Sequence, residues 1–239
     1  MIYLKGIRLN EDMPLDKDEY PLSIPALRNF KEMSFDTPVT FIVGENGMGK
    51  STLIEAIAIA MGFNAEGGSR NFNFATHETH SRLYEYLITA KSGNRNKDGY
   101  FLRAESFYNV ITEIDRLMIK DYYGGKSLHN MSHGEGFMKL LMERCYGRGF
   151  YIFDEPEAAL SPFSQIKMLA RMRQLVDEDS QFIISTHSPI LMAYPEARIY
   201  QLTEDGITET TYEQTEHFLL MKYFVNNTND YLRNIGVID

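Results

Sequence analysis

The chain has 239 residues and a hydrophobic content of 44%, enough to bury the core of one domain or of two closely packed lobes. Its formal net charge of −9 argues against a protein that coats nucleic acid with a broad positive face. No window approaches about 18 uninterrupted apolar residues, and residues 1–10 lack the basic-then-apolar order of a signal peptide. We therefore expect a cytoplasmic protein that does not insert into a membrane.

Predicted strands and helices alternate through the second half of the chain. Strand-like apolar runs occupy residues 1–9, 39–43, 99–107, 149–154, 181–186 and 197–202. Helical periodicity occupies residues 50–61, 134–146, 161–178 and 212–225. Near-continuous apolar strands that alternate with helices predict an α/β fold, with a mostly parallel sheet that helices cover on both faces.

The segment KSGNRNKDG, residues 91–99, separates two strand-like runs, RLYEYLITA and GYFLRAESF. Its Gly, Asn and Ser content predicts a β-hairpin whose tip carries Lys91, Arg95 and Lys97. This tip is the nearest candidate for a nucleic-acid contact. The charge pattern favours a solvated loop instead, so nucleic-acid binding stays open.

Cysteine and histidine usage offers little redox or metal chemistry. The single cysteine, Cys145, excludes an internal disulfide framework and a cysteine-rich zinc site, and we expect it in the core. His77 and His80 in ATHETHS could form part of a metal site, but no third ligand follows at a suitable spacing. A metal pair there is the disfavoured interpretation.

The stretch GENGMGKS, residues 44–51, matches the phosphate-loop (Walker A) pattern, directly after an apolar strand and before a helix. Glycines let backbone N–H groups close around phosphate, Lys50 reaches the β- and γ-phosphate oxygens, and Ser51 ligates Mg²⁺ at the helix N-terminus. The residues expected to hold the nucleotide are Gly44, Glu45, Asn46, Gly47, Met48, Gly49, Lys50, Ser51 and Thr52.

The buried-strand pattern GFYIFD ends in two adjacent carboxylates, Asp154 and Glu155. In a parallel sheet this end of the strand lies at the edge where ligands collect. We expect Asp154 to hold Mg²⁺ and Glu155 to orient and polarise the attacking water, because phosphoryl transfer needs positioning and charge neutralisation. Glu155 and Lys50 are thus expected catalytic residues.

The order of these motifs resembles the ABC-type ATPase head: a phosphate loop, SHGEG opening a helix, DEPEAALSP and STHSP. SHGEG takes the place of the family's Ser-Gly-Gly-Gln signature, keeping Ser132 and Gly134, whereas His133 and Glu135 differ from it. In that family this helix start binds the γ-phosphate of ATP held by the opposite subunit, which uses a helix-terminus anion site a second time. The resemblance therefore implies nucleotide contacts for Ser132, Gly134 and Glu135.

The same resemblance assigns three further residues. His187 in STHSP matches the switch histidine, a catalytic residue that contacts the γ-phosphate and the attacking water. Ser161 in EAALSP matches the D-loop and is expected at a dimer interface. Glu105 in RAESFYN stands where the family has its Q-loop glutamine, which implies a place in the metal site beside Ser51 and Asp154.

Within that family the sequence is similar to the SMC, RecF and OLD branches and to small stand-alone bacterial ATPases of AAA type. The resemblance covers almost the whole chain and implies one domain, residues 1–239, with a nucleotide lobe at about 1–63 and 149–239. The hairpin and a smaller helical signature lobe fill about 64–148. The stretch between the phosphate loop and SHGEG is too short for the long coiled-coil arms of SMC-type machines.

The resemblance implies an enzyme that binds ATP and Mg²⁺, forms a homodimer around two ATP molecules, and drives or gates an unidentified effector protein, as in DNA repair or phage defence. Two alternatives stay open: an ATP-dependent binding switch for a nuclease or toxin with slow turnover, and the ATPase subunit of a transporter. For the adenine base, the open candidates are Arg8, Arg28, Phe30 and Phe35.

The last helical segment, YEQTEHFLLMKYFVNNTNDYLRNI, carries Phe218, Leu219, Tyr223 and Phe224 at helical spacing. An exposed apolar stripe of this size is an aggregation liability, so we expect the helix to pack on the nucleotide lobe. The alternative is a docking helix for the missing effector.

Overall fold

The computed structural model describes residues 1–13, 16, 18, 20–69, 81–116 and 131–239. The strands of this part are β1 (Leu4–Leu9), β2 (Glu32–Ser34), β3 (Val39–Gly44), β4 (Leu87–Lys91), β5 (Asp98–Arg103), β6 (Gly149–Asp154), β7 (Gln181–Ser185), β8 (Arg198–Thr203) and β9 (Gly206–Thr210). Its α-helices are α1 (Pro25–Arg28), α2 (Lys50–Ala60), α3 (Phe107–Arg116), α4 (His133–Glu143), α5 (Pro162–Asp177), α6 (Pro189–Met192), α7 (Glu216–Asn226) and α8 (Thr228–Asn234). Short 3-10 turns lie at Arg82–Tyr86, Pro156–Ala159 and Tyr212–Gln214.

Six strands form the main sheet, in the order β5-β6-β7-β3-β8-β9. Neighbours are parallel except β9, which runs antiparallel to β8. The central strands β3, β6 and β7 are buried along their whole length. Because successive side chains alternate across a strand, such strands need apolar partners on both faces. The expected α/β fold with a mostly parallel sheet is confirmed.

The two faces of the main sheet pack against different helices. Phe41 of β3 points to a cluster that includes Phe137 of α4 and Met168 of α5. Its neighbour Ile42 points to the opposite cluster, which includes the apolar residues of α2. Cys145 is buried in the first cluster, as expected, and burial raises the pKa of its thiol. Among the residues described, no helix is both long and apolar enough to cross a lipid bilayer.

A second sheet shows that the expected hairpin is wrong. β1, β2 and β4 form a three-stranded antiparallel sheet in the order β2-β1-β4, whereas β5 pairs in parallel with β6 in the main sheet. Tyr100, Phe101 and Leu102 of β5 are buried, and a two-stranded hairpin cannot cover both faces of such a strand. Residues 92–97 therefore connect two sheets, and β5 lies with the nucleotide lobe instead of a separate lobe at 64–148.

The C-terminal helix α7 contacts the nucleotide lobe at its first turn, as expected, but α7 and α8 are not buried there as core helices would be. Neither helix buries a single residue. The start of α7 is fixed: its N-cap Thr215 is fully buried, and the centroid of the Phe218 ring lies 4.6 Å from that of the Tyr212 ring. Because HFLLMKYFV is apolar on every face, the lobe can cover only one side of it. Exposed apolar residues in this part are Leu219, Leu220, Met221, Tyr223, Val225, Ile235, Val237 and Ile238.

Removing α7 and α8 tests this exposed arrangement. A chain that ends at Thr215 should stay folded, with its Tm lowered by less than about 5 °C, because neither helix buries a residue. Circular dichroism during heating measures the change. A chain that ends at Asp205 also loses β9, which pairs with β8, and should melt at a distinctly lower temperature. Loss of cooperative unfolding in the longer of the two chains would contradict the arrangement.

Candidate active site

The loop between β3 and α2 is a glycine-rich turn that closes on a helix N-terminus. Gly44, Gly47 and Gly49 have positive φ angles of 146°, 83° and 90°, a conformation that favours glycine. At Gly44 a Cβ atom would also lie 2.5 Å from the carbonyl oxygen of Leu202. Since the first N–H groups of a helix lack intrahelical partners, the loop and α2 together can bind an anion.

Lys50, the first residue of α2, carries its ammonium group back over this loop. Its side chain is almost fully buried, and Nζ donates to the carbonyl oxygen of Glu45 at 3.0 Å. Nζ lies 4.0 Å from Oε1 of Glu155. Burial lowers the pKa of Lys50, and nearby carboxylates, Glu155 foremost, oppose that shift. Because the nearest Glu155 oxygen is 4.0 Å away, this buried ammonium group can also donate a hydrogen bond to a phosphate oxygen.

Asp154, the last residue of β6, is nearly fully buried at the carboxyl edge of the main sheet. Strand register places Arg103 of β5 and Ser185 of β7 directly beside it. Oδ1 accepts hydrogen bonds from Ser185 Oγ at 2.5 Å and Ser51 Oγ at 3.1 Å, and Oδ2 lies 3.7 Å from Nε of Arg103. Burial raises the pKa of Asp154, while the hydrogen bond from Ser185 and the charge of Arg103 oppose that rise.

The adjacent oxygens of Ser51 and Asp154 suit a hard cation. Within the described ranges, no group of three or more His, Cys, Asp or Glu side chains could hold a metal ion. Water and the phosphate oxygens of a nucleotide are hard ligands that would complete the shell of a cation held here. Mg²⁺ in nucleotide sites is usually bound in this way, by one or two protein ligands and the substrate phosphates. This donor set fits Mg²⁺.

Glu155 follows at the turn after β6 and has a left-handed backbone, with φ 49° and ψ 53°. Its N–H donates to the carbonyl oxygen of Ser185 at 3.1 Å. Its carboxylate lies between two cationic or polar groups, with Oε1 4.0 Å from Nζ of Lys50 and 3.4 Å from Nε2 of His187. Because the carboxylate is partly exposed, it can reach both solvent water and the space above the phosphate loop.

His187 follows β7 and faces Glu155. Its backbone N–H donates to Oε1 of the buried Glu157 at 2.5 Å, which fixes the loop. Its ring Nδ1 lies 3.1 Å from Nε2 of His217 on α7. Burial, helped by the charge of Lys50, lowers the pKa of His187 to about 4. The imidazole is therefore neutral at pH 7, and its contact with Glu155 is not an ion pair.

A cleft of about 230 Å³ opens beside the Asp154 carboxylate. Glu105 lies at its rim, with a side chain that is 89% exposed and an oxygen 3.8 Å from Nη2 of Arg103. The structure thus brings the three residues expected at a metal site to one cleft, with Glu105 the most exposed of them. The lining residues are Ser51, Ala104, Glu105, His133, Asp154, Glu155, Ala158 and Ala159.

The SHGEG segment forms the N-terminus of α4. Ser132 and Glu135 make a capping box, in which Ser132 Oγ accepts the N–H of Glu135 at 3.3 Å and the Glu135 carboxylate accepts the N–H of Ser132 at 2.9 Å. Hydrogen bonds from Ser132 lower the pKa of Glu135. A Cβ atom at Gly134 would lie 2.7 Å from the carbonyl oxygen of Ala159, so the helix start packs tightly against the turn that follows Glu155.

Comparison with known proteins identifies the fold that carries this site. A protein-family profile described as an AAA domain matches residues 22–140. The structure is similar to cbiO1 from Clostridium perfringens, part of the ABC transporter complex cbiONQ, with 15% identity, a TM-score of 0.50, and 96% of this chain and 98% of that chain covered. The chain has the fold of a P-loop ATPase domain of the ABC type.

Two further solved structures match this chain with lower TM-scores. The SMC head domain from Thermotoga maritima has 16% identity and a TM-score of 0.46, with 88% of this chain and 99% of that chain covered. A dimeric bacterial ABC transporter cassette has 14% identity and a TM-score of 0.44, with 90% of this chain and 100% of that chain covered. No functionally curated protein is significantly similar to the ATPase head in sequence.

The four residues considered for contact with the adenine base differ in their exposure. Phe30 and Phe35 are buried in the core, so neither ring can stack on a base. Arg28 binds the carboxylate of Asp18 at 2.7 Å, and Arg8 is exposed on β1. The two phenylalanines are therefore excluded, and the two exposed arginines stay candidates.

The remaining expected sites are Ser161, the basic side chains of residues 91–97, and the histidine pair. Ser161 is exposed and caps α5, with its Oγ accepting the N–H of Ser164 at 3.2 Å. Lys91, Arg95 and Lys97 are exposed in the connection between the two sheets. His77 and His80 lie outside the described residues.

Three residues of the site have no counterpart in the sequence analysis: Arg103, Glu157 and His217. Arg103 could have been inferred, because it ends a buried strand at the same edge as Asp154. Glu157 lies only two residues after Glu155, and its burial was the missing information. His217 gives no local signal, since its partner lies 30 residues away in the chain.

The low pKa of His187 predicts its behaviour on titration. Its ring should stay neutral from pH 8 to pH 5, because its pKa of about 4 lies well below the ordinary value of about 6.5. NMR of the ring C–H groups during titration measures this. The free energy of unfolding should fall as pH drops from about 6.5 to 4, since only the unfolded chain then protonates this ring. A midpoint near pH 6.5 for His187 would contradict the described environment.

Proposed function

We propose that the protein binds ATP with Mg²⁺ and hydrolyses it to ADP and phosphate. The observation that carries this proposal is the convergence of a buried ammonium group, a hydroxyl–carboxylate pair, a partly exposed carboxylate and a neutral imidazole at one edge of the sheet. They belong to Lys50, Ser51, Asp154, Glu155 and His187. Phosphoryl transfer requires such positioning and charge neutralisation.

The phosphate loop binds the nucleotide in this proposal. Backbone N–H groups of residues 44–52 and the ammonium group of Lys50 hold the β- and γ-phosphates, and the positive end of α2 adds to the attraction. Ser51 and Asp154 would hold Mg²⁺. The metal ion, when bound, neutralises charge on the phosphate oxygens.

Glu155 and His187 act on the far side of the γ-phosphate. The Glu155 carboxylate accepts a hydrogen bond from the attacking water and orients it, because its position between Lys50 and His187 leaves it open to solvent. His187 remains neutral during turnover and donates an N–H to a γ-phosphate oxygen. A neutral donor stabilises developing charge without adding a proton to the reaction.

We further propose that two heads dimerise around two ATP molecules in head-to-tail contact. The start of α4 is exposed, with Ser132 and Glu135 on the surface, so a second chain can reach it. In the single chain the Glu135 carboxylate occupies this helix N-terminus as its anion. A γ-phosphate from the opposite head would take its place, which would make Ser132 a ligand in trans.

An ATP-dependent binding switch is the second candidate function. It is favoured by the exposed apolar side chains of α7 and of the residues after α8, which a bound effector would cover. In this case ATP-driven dimerisation presents a surface to an effector such as a nuclease or toxin, and slow hydrolysis resets it. The described residues include no observation that favours a transporter subunit.

The catalytic assignment predicts different failures for two variants. Lys50→Ala should lose ATP binding, because it removes the buried cation of the loop. Glu155→Gln should bind ATP normally and hydrolyse it at least about a hundredfold more slowly, since an amide is a poor acceptor for the water. Phosphate release and calorimetric binding measure both. Glu143→Gln, an exposed carboxylate on α4, is the matched control and should behave as wild type. Undiminished turnover in Glu155→Gln would remove Glu155 from the mechanism.

The shared-site arrangement predicts complementation between two inactive chains. Ser132→Arg and Lys50→Ala chains should each lack activity, and mixing them should restore some phosphate release, because one composite site in each heterodimer is intact. A role for Ser132 as a helix cap alone would instead lower stability by about 1 kcal/mol and leave turnover within one chain. No recovery on mixing two folded proteins would count against the trans role.

A further inference from the structure

A second histidine contacts the imidazole ring of His187. His217, in the first turn of α7, places Nε2 3.1 Å from Nδ1 of His187, with ring centroids 5.3 Å apart. Its position is fixed by Thr215, which is fully buried, donates its hydroxyl to the carbonyl oxygen of Tyr212 at 2.7 Å and accepts the N–H of Phe218 at 3.3 Å. The contact is therefore built into the fold, although the rest of α7 is exposed.

The hydrogen bond between the two rings can run in either direction. Burial lowers the pKa of both His187 and His217, so each ring is neutral and carries a single N–H. Either His187 donates from Nδ1, which leaves its Nε2 as a bare lone pair, or His217 donates from Nε2, which leaves the proton of His187 on Nε2.

The surroundings of His187 Nε2 distinguish these two directions. This buried nitrogen makes no hydrogen bond to any described residue, and the nearby acceptor is Oε1 of Glu155 at 3.4 Å. A bare lone pair on Nε2 would face the carboxylate and be repelled by it. An N–H on Nε2 would be attracted by the Glu155 carboxylate. It could also donate to a phosphate oxygen bound beside that carboxylate.

We propose that His217 is a positioning residue that donates its Nε2–H to Nδ1 of His187, and so holds His187 in the tautomer with its N–H directed toward Glu155 and the catalytic space. The inference rests on the proposed function, because that N–H is the donor assigned to the γ-phosphate. It gives the start of α7 a role in positioning the His187 ring. It also makes turnover depend on the position of α7, because a shift of its first turn would break the hydrogen bond from His217 to His187.

The tautomer can be measured directly, without turnover. Long-range ¹H–¹⁵N correlation spectra distinguish a protonated ring nitrogen from a bare one, and the six histidines can be assigned with single variants. In the wild-type chain at pH 7.5 we expect protons on Nε2 of both His187 and His217. A proton on Nδ1 of His187 would overturn the proposal, whatever the enzyme's activity.

Two nearly isosteric substitutions test the direction of the hydrogen bond. His217→Gln keeps an N–H donor at the place of Nε2, whereas His217→Glu offers only acceptors. We expect His217→Gln to retain kcat within about threefold and the Nε2–H tautomer of His187. His217→Glu should lower kcat at least about tenfold with little change in the KM for ATP, since His217 lies outside the phosphate loop. Glu216→Gln, exposed beside it, is the control and should match wild type.

Each outcome bears on the inference separately from the proposed function. Equal activities for the Gln and Glu variants, or higher activity for Glu, would overturn the positioning role. A wild-type chain that releases no phosphate would refute the ATPase, while the spectra would still decide the tautomer. Should His217→Glu fail to fold, the wild-type and His217→Gln spectra would provide the same decision.

Discussion

The buried carboxylate of Asp154 is the constraint on which the rest of the site depends. Burial alone would favour the neutral acid, so groups from other parts of the chain have to compensate its charge. Three elements that meet at this edge of the sheet supply them: Arg103 ends β5, Ser185 ends β7 and Ser51 lies at the start of α2. The register of the parallel sheet is therefore a requirement of the site as much as of the core.

The SHGEG segment at the start of α4 is positioned by contacts with the same edge of the sheet. Gly134 packs against the turn that follows Glu155, at a distance that leaves no space for a side chain. One turn further along α4, the Phe137 ring packs edge-on against Phe153 of β6, with centroids 6.1 Å apart. Two contacts thus connect α4 to both the strand and the turn that carry Asp154 and Glu155.

Local motifs could be predicted from the sequence, whereas pairing and exposure could not. The phosphate loop and the Asp154–Glu155 pair are runs of adjacent residues whose flanking strand or helix is visible in the sequence. β4 and β5 both have strand-like sequences, and nothing in residues 91–99 indicates that β4 pairs with β1 and β5 with β6. The exposure of α7 depends on how much apolar surface the folded lobe has available to pack against it. The contact of His217 with His187 depends on the position at which α7 begins.

The left-handed backbone of Glu155 affects how this sequence can change. A non-glycine residue in that conformation is destabilised by roughly 1 kcal/mol, and glycine or asparagine would relax the turn. Either replacement would remove the carboxylate that faces Lys50 and His187. Thermal stability and the proposed chemistry therefore favour different residues at this position, and selection for robustness alone would lead the chain toward a more stable protein without turnover.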